Sequence, residues 1–514
     1  MELPHARTKP AATSVNVALK TATILLLCLL WALPVSAQDG ATEADSFGGW
    51  PAGASEAEGD AVGEAAGSES PAYGFGGGFS AYGYVKSTAR LGFGHFSDLL
   101  PQDGGFINGK SQSGGGSRDD AYSSGALTVL RLKADWEPEE LVSAHVELEF
   151  ETSRGYLNPY GFQEASGLDA LTEASGGTAP ADLQGQNPQD DFHSELMIDH
   201  AWALFSTGPL DLKLGKMPVA WGTAYAFNPI DRVNSDEEWG GSEGEETPGS
   251  TGLMPSLQVG GPFSLTSYLL YEEKTRSAPA GEAEGNPDNY PFGIKLQGYG
   301  GRTDYSLAFV KEVTYLGPSG SAIGDTENEY RRWYYLGSEL FTSVGDGGLY
   351  AEAVCRLPGN NGSIDFDDEY ELTELFEAAA GGEYTLEGGT TLRAEYCYHG
   401  RGEVEKSEYR VAGLLSGELP MLGRDYLFAR VSHTFFDYLE LSLAGLGNLN
   451  DRSFVVLPEA SYSLKTNVQL TASGVLPYGP KGSELHGRFD LLPGTVPPVD
   501  LVRGGLHFEV KVSF

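Results

Sequence analysis

Charged residues recur at every second position in several stretches of this chain, and charges so spaced line one face of a β-strand. In ALTVLRLKADW, Arg131, Lys133 and Asp135 alternate with Leu130, Leu132, Ala134 and Trp136. In SAHVELEFET, His145, Glu147, Glu149 and Glu151 alternate with Ala144, Val146, Leu148 and Phe150. The same parity puts Lys213, Lys295, Arg393, Glu395, Glu509 and Lys511 on polar faces. Basic and acidic residues facing one lumen would set a transverse field, which favours small polar solutes over apolar ones.

Other candidate chemistry is weaker. The acidic runs SDEEWGGSEGEE (235–246) and DFDDEYELTELFE (365–377) offer oxygen ligands for Ca²⁺ or Mg²⁺. Neither has the glycine-centred spacing of a dedicated calcium loop, so both read as solvated acidic loops and no metal site or cofactor is expected. His95, His193 and His399 fall near expected strand ends, but no motif ties one of them to a nucleophile, and no enzyme is expected. The alternation places Cys397 with Arg393 and Glu395 on the lumen side, and Cys355 with Leu349 and Ala351 on the apolar side. Their strands are separated by another at 373–386, so no disulfide is expected.

Composition bounds the class. Glycine is 70 of 514 residues, aromatics are 11%, and there are only 3 cysteines and 5 methionines, which favours strands and tight turns. A net charge of -39 excludes a nucleic-acid binder, which needs a basic footprint. Residues 1–37 read as a secretory signal peptide: Arg7, Lys9 and Lys20, the apolar run ATILLLCLLWAL, and small residues Val35 and Ala37 before Gln38. Residues 38–78 hold eight acidic residues and no Lys or Arg, and read as a disordered Gly/Ala-rich segment.

From residue 79 to 514, alternating runs of roughly 10–14 residues are joined by short and long connections in strict alternation. The short ones are WEPEEL, TGPL, GGPF, GGRT, GDGG, EGGT, FDYL and KTN. The long ones are near 96–123, 155–192, 218–252, 274–289, 315–330, 358–372, 400–422 and 478–500, with a brief NLNDRS at 448–453. Seventeen connections imply 18 strands, and short turns at one end with long loops at the other are the pattern of an up-and-down transmembrane barrel. The strand at 248–260 is the least regular, because Pro255 interrupts it. Aromatics at strand ends, such as Trp136, Tyr398 and Phe514, suit a girdle at a lipid–water boundary.

The chain ends on Leu506, Phe508, Val510, Val512 and Phe514 alternating with His507, Glu509, Lys511 and Ser513. This resembles the C-terminal strand of Gram-negative outer-membrane barrels, which their assembly machinery reads. The stretch LDLKLGKMPVAWGTAYAFNPIDRVN (210–234) resembles the LGKQ-x-x-x-WG-x-G-x-x-x-NP-x-D segment of porin-like families, through Leu214, Gly215, Lys216, Trp221, Gly222, Asn228, Pro229 and Asp231. It departs at Met217 and Ala224. Gly215, Gly222 and the Asn228-Pro229 turn would let the loop fold inward, making Lys216, Trp221, Gly222, Asn228, Pro229 and Asp231 candidates for a constriction. A strand-to-loop transition packing Trp221 on the wall reads the residues equally well.

The resemblance implies a porin-like passive channel for small hydrophilic solutes or ions in the outer membrane. Its surroundings would be outer-membrane lipids and lipopolysaccharide, with the barrel assembly machinery engaging the last strand. Nucleic acid is not a partner, and a homo-oligomer stays open, since no trimer-specific motif is present. Two alternatives remain: a loop-plugged barrel with a surface or adhesion role, and a substrate-specific export or uptake channel, against which the mixed lining counts.

Overall fold

The computed structural model describes residues 73–93, 122–155, 192–233, 247–271, 287–319, 327–364, 372–415, 419–489 and 499–514, apart from a few single positions inside these ranges. Residues 1–37, read above as a signal peptide, most of the acidic segment that follows them, the run 235–246, residues 365–371 and His95 lie outside them.

Eighteen antiparallel strands form the barrel: β1 Phe79–Phe93, β2 Tyr122–Glu139, β3 Val142–Gly155, β4 Phe192–Thr207, β5 Leu210–Met217, β6 Ser250–Gly260, β7 Phe263–Leu270, β8 Phe292–Gly300 and β9 Thr303–Ser319. They continue as β10 Glu327–Val344, β11 Gly347–Arg356, β12 Phe376–Thr385, β13 Thr390–His399, β14 Asp425–Phe435, β15 Leu439–Asn448, β16 Ser453–Lys465, β17 Val468–Tyr478 and β18 Gly504–Ser513. Each strand pairs with its sequence neighbours, and β18 closes onto β1 from Tyr84↔Ser513 to Phe93↔Gly504. Gly83 and Phe514 then exchange two backbone hydrogen bonds of 2.8 Å. Closure gives each described barrel strand a hydrogen-bonded neighbour on both sides, the requirement for a sheet in hydrocarbon. The strand count, the turn–loop alternation and the pairing of the last strand with the first agree with the sequence reading.

Alternation decides which face is which. Leu132, Val146, Leu148, Phe150, Leu392, Leu427, Phe508 and Val510 are exposed on the outer face, whereas Arg131, Glu147, Glu149, Arg393 and Glu395 are buried inside. Exposed aromatics gather at both rims: Phe79, Trp136, Phe205, Phe263, Tyr384, Phe435 and Tyr462 near the short turns, and Tyr271, Tyr396, Phe454 and Tyr478 toward the other end. Amphipathic rings concentrate at such boundaries.

Three local features depart from the sequence reading. Residues Tyr73–Gly76, which composition assigns to the acidic segment, form a short strand on β1, with Tyr73 opposite Ala81. Pro255 sits inside β6 without ending it: it pairs with Leu212 of β5, and the ladder to β7 skips from Leu253 to Ser256. Pro458 in β16 does the same, the ladder to β17 skipping from Val456 to Glu459. A proline gives up one donor, and a one-sided gap in the ladder accommodates that. Cys355 has the outward parity expected but is only 5% exposed, between Leu336 and Phe376 in the register. Both described cysteines are free thiols.

Candidate functional site: a charged inner wall and an inward-folded segment

The densest charge network lies on the inner face of β2, β3 and β4. Arg131 stands opposite Glu149 in the register and Lys133 opposite Glu147. Arg131 Nε donates to Glu149 Oε2 at 2.7 Å and lies 2.9 Å from Glu147 Oε1, while its Nη2 lies 3.3 Å from Asp199 Oδ2. Lys133 Nζ is 3.4 Å from Glu147 Oε2. His145 joins from the same strand as Glu147, its Nδ1 2.7 Å from Asp135 Oδ1. The ring of His145 stacks on Trp202 at 5.4 Å, and Lys213 Nζ sits 4.3 Å over that indole.

Asp199 and His200 are adjacent in sequence, yet both are buried on the inside. A β-bulge explains this: Glu147 pairs with His200 and Leu148 with Ile198, leaving Asp199 as the extra residue. A bulge inserts one residue and so lets two neighbours point the same way. The carbonyl beside it, that of Ile198, accepts a hydrogen bond from Lys216 Nζ at 2.7 Å. Residues 247–250 cross over the bulge. Gly249 N donates to Asp199 Oδ1 at 3.3 Å, and His200 Nε2 lies 2.9 Å from the Thr247 carbonyl. A Cβ on Gly249 would stand 2.2 Å from the Asp199 carbonyl oxygen, so only glycine fits this crossing.

The second element is the segment 218–233, which leaves β5 and folds along the inner wall. Val219, Trp221, Phe227 and Ile230 are all buried. Three glutamates of the wall anchor it. Glu352 on β11 accepts the backbone N–H groups of Thr223 (2.8 Å), Ala224 (3.2 Å) and Ile230 (3.3 Å). Glu395 on β13 accepts those of Tyr225 (2.7 Å) and Phe227 (2.7 Å) and also bonds to Ala226. Glu377 on β12 receives Arg232 Nη2 at 2.5 Å. A run of backbone donors away from any ladder needs acceptors, and a carboxylate with two oxygens supplies several at once. Side chains complete the anchoring: Trp221 meets Tyr268 edge-on at 4.7 Å, and Tyr225 lies under Arg393 at 3.7 Å with its hydroxyl accepting from Arg430 Nη1 at 2.7 Å.

Within the segment, Gly222 has φ +117°, and a Cβ there would sit 1.7 Å from Asn228 Oδ1. Asn228 therefore folds its amide over Gly222, and the N–H of Asp231 donates to the Asn228 carbonyl at 3.2 Å across the Asn228-Pro229 turn. Asp231 Oδ1 in turn accepts the N–H of Val233 at 3.0 Å.

The residues singled out from sequence are thus distributed over several places. Arg131, Lys133, Asp135, Glu147 and Glu149 share one network. Lys213 lies beside Trp202. Lys295 lies 3.6 Å from Glu339 and 5.1 Å over Trp221. Arg393 and Glu395 both hold Tyr225. Glu509 accepts from Thr88 Oγ1 at 3.4 Å, and Lys511 Nζ lies 4.5 Å over the Tyr84 ring. Glu151 pairs with Val129 on the same wall. Trp221, Gly222, Asn228, Pro229 and Asp231 belong to the inward segment, but Lys216 stays on β5, with the outward parity of Leu214, beside the bulge. Sequence reasoning did not single out Asp199, His200, Glu352, Glu377 or Arg232. The alternation in GGLYAEAVCR was the available signal for Glu352.

No family model matches the chain, and no curated protein sequence matches it. Among solved structures it is similar to OccAB2 of Acinetobacter baumannii, at 9% identity over 84% of this chain and 98% of that one, with a TM-score of 0.45. It is similar to OccK9 (OpdG) of Pseudomonas aeruginosa at 11% identity, 84% and 97% coverage and a TM-score of 0.44. It is also similar to a triple mutant of the Rhodopseudomonas blastica porin at 11% identity, 85% and 100% coverage and a TM-score of 0.37. The fold itself rests on the closed set of strand pairings: a closed 18-stranded antiparallel barrel with an apolar outer face and a charged inner one.

Proposed function

We propose that this chain is a passive outer-membrane channel for small hydrophilic solutes or ions, narrowed by the segment 218–233. The observation that carries the reading is the inner face of β2, β3 and β4, which is lined by ion pairs and carboxylates, whereas apolar clusters around Trp221 and Phe227 pack the inward segment against another part of the wall. Charged walls are stable when wet, and 18 strands suit a water-filled lumen. The inward segment is tied to β11, β12 and β13, with Arg430 of β14 reaching Tyr225. The charged wall of β2, β3 and β4 is a different part of the circumference. Solute would pass between Gly222, Asn228 and Asp231 on one side and Arg131, Lys133, Asp135, Glu149, Glu151 and Lys213 on the other, with Trp221, Pro229 and Glu147 packed behind these surfaces. The outer face would sit in outer-membrane lipid and lipopolysaccharide, and the Phe508–Phe514 stretch would engage the assembly machinery. Assembly into a homo-oligomer is compatible with this reading.

The test is single-channel conductance of the refolded barrel in a planar bilayer under a tenfold KCl gradient. Stepwise openings with a cation-side reversal potential support an open pore governed by its acid-rich chain. Openings with an anion-side reversal shift weight to Arg131, Lys133 and Lys213. A folded barrel that conducts nothing sinks the channel reading. The same inward segment would then act as part of a plug, leaving a surface role in front.

A further inference from the structure

We propose that His145, Glu147 and His200 form a binding site for one divalent transition-metal ion of the Zn²⁺ type on the inner wall. The three side chains are buried, come from facing strands, and present His145 Nε2, Glu147 Oε2 and His200 Nδ1 to one another within 4.8 Å. His200 Nδ1 lies 3.3 Å and His145 Nε2 3.6 Å from Glu147 Oε2. Ligand atoms at the corners of a tetrahedron around Zn²⁺, with bonds of about 2.0–2.1 Å, stand about 3.3–3.4 Å apart. Both separations are close to that edge.

What separates the cluster from an ordinary group of polar residues is the far side of each ligand. His145 Nδ1 is held by Asp135 Oδ1 at 2.7 Å, which leaves Nε2 as the nitrogen turned to the centre. His200 Nε2 is held by the Thr247 carbonyl at 2.9 Å, which can only accept, so Nδ1 is likewise the nitrogen turned inward. Glu147 Oε1 is held by Arg131 Nε at 2.9 Å, which leaves Oε2 to the centre. A carboxylate or a backbone carbonyl on the second imidazole nitrogen is the arrangement that orients metal-bound histidines. Here two histidines have it, and the carboxylate is ion-paired with Arg131 on its other oxygen.

Charge points the same way. Asp135, Glu147, Glu149 and Asp199 face Arg131, Lys133 and Lys213, so carboxylates outnumber strong cations around two imidazoles. Lys133 Nζ, 3.4 Å from Glu147 Oε2, is the group the ion would displace, and a long flexible ammonium side chain moves at small cost. The β-bulge is what makes the site possible, since it turns His200 inward beside Asp199. Two imidazoles and a carboxylate, with no thiolate, favour Zn²⁺, Co²⁺, Ni²⁺ or Cu²⁺ over Ca²⁺ and Mg²⁺.

The experiment uses the refolded full-length barrel without a histidine tag, titrated with Co²⁺ and then competed with Zn²⁺. The expected result is one equivalent of Co²⁺ giving the intense visible bands of a four-coordinate ion, displaced by Zn²⁺ and not by Ca²⁺. His200→Gln should weaken binding at least tenfold. Lys133→Met, which removes the competing ammonium and leaves all three ligands in the chain, should tighten it. The spectrum of the unaltered protein stands even if a ligand variant misfolds. Weak six-coordinate bands only, or binding that His200→Gln leaves unchanged, would overturn the proposal. So would a failure of both the unaltered protein and Lys133→Met to bind. Conductance plays no part in this readout, so the channel reading and the metal site fail independently.

Discussion

Glu395 and Tyr225 are joined backbone to side chain: the Tyr225 N–H donates to Glu395 Oε2 at 2.7 Å, and the same oxygen receives the Tyr350 hydroxyl at 2.8 Å. The inward segment is therefore fastened by its main chain, through a carboxylate that belongs to the wall. Hydrogen bonds to a charged acceptor contribute about 1.5–3 kcal/mol each. Glu395→Gln keeps the shape and removes the charge. It should loosen the segment by about 2–3 kcal/mol while the barrel still folds. Single-channel recordings are expected to show larger and noisier openings than the unaltered protein, and an unchanged trace would count against 218–233 as a constriction.

Gly222 offers an independent route to the same segment. A methyl group there collides with the Asn228 amide, and φ +117° disfavours any L side chain. Gly222→Ala should displace the 222–228 turn and raise protease sensitivity within 218–233, while Gly388→Ala, whose Cβ meets open space, should change neither conductance nor cleavage.

The two faces of β18 should respond oppositely to charge. Val510 is 44% exposed on the outer face near the middle of the strand. Val510→Arg places a guanidinium against hydrocarbon and should cost about 2–4 kcal/mol, read from urea titration of folding into phospholipid vesicles. Glu509→Gln, on the inner face one residue away, should leave the midpoint nearly unchanged.

At the loop end of the barrel, Glu484 gives a pH dependence. Burial pushes its carboxyl up to about 7, although Tyr426, the Leu422 N–H and Asn448 all donate to it and pull the other way. The native state then holds this proton up to about pH 7, while the unfolded chain loses it near 4.5. Between those values the folded form binds more protons, so its stability falls as pH rises from about 4.5 to 7 and stays lower above. Amide exchange at Leu422 and Glu484, corrected for intrinsic rates, should show less protection at pH 8 than at pH 5. Glu484→Gln should flatten the difference.

Period-two alternation made most of the barrel legible from the residues alone. It sorted Arg131 from Leu132 and Glu509 from Val510 without reference to any partner strand, because in a closed barrel a residue's parity decides its solvent. It could not find Asp199 and His200 together, since a bulge breaks the parity that the method assumes. Nor could it assign Glu352 or Glu377 as anchors, because their partners lie more than 120 residues away and meet them only after the segment folds back. Lys216 shows the reverse error. Its place in an LGK motif suggested the lumen, whereas its strand parity, available in the same sequence, already pointed outward. The acidic composition of residues 38–78 likewise hid the Tyr73–Gly76 strand, whose aromatic and glycine residues differ from the stretch before it.

The extra residue at position 199 also acts as a switch in the reading frame of the wall. Upstream of it on β4 the outward set is Leu196 and Ile198; downstream it is Ala201, Ala203 and Phe205. Loss of a single codon there would not merely delete one acid. It would remove the bulge and rejoin the strand in one regular alternation, with Ile198 and Ala201 still outward and His200 and Trp202 still inward. A deletion elsewhere on the strand, such as at Ala203, would instead turn Phe205 toward water, so length is constrained on either side of the bulge rather than at it. An irregularity of one residue is inherited as a boundary between two opposite alphabets on the same strand.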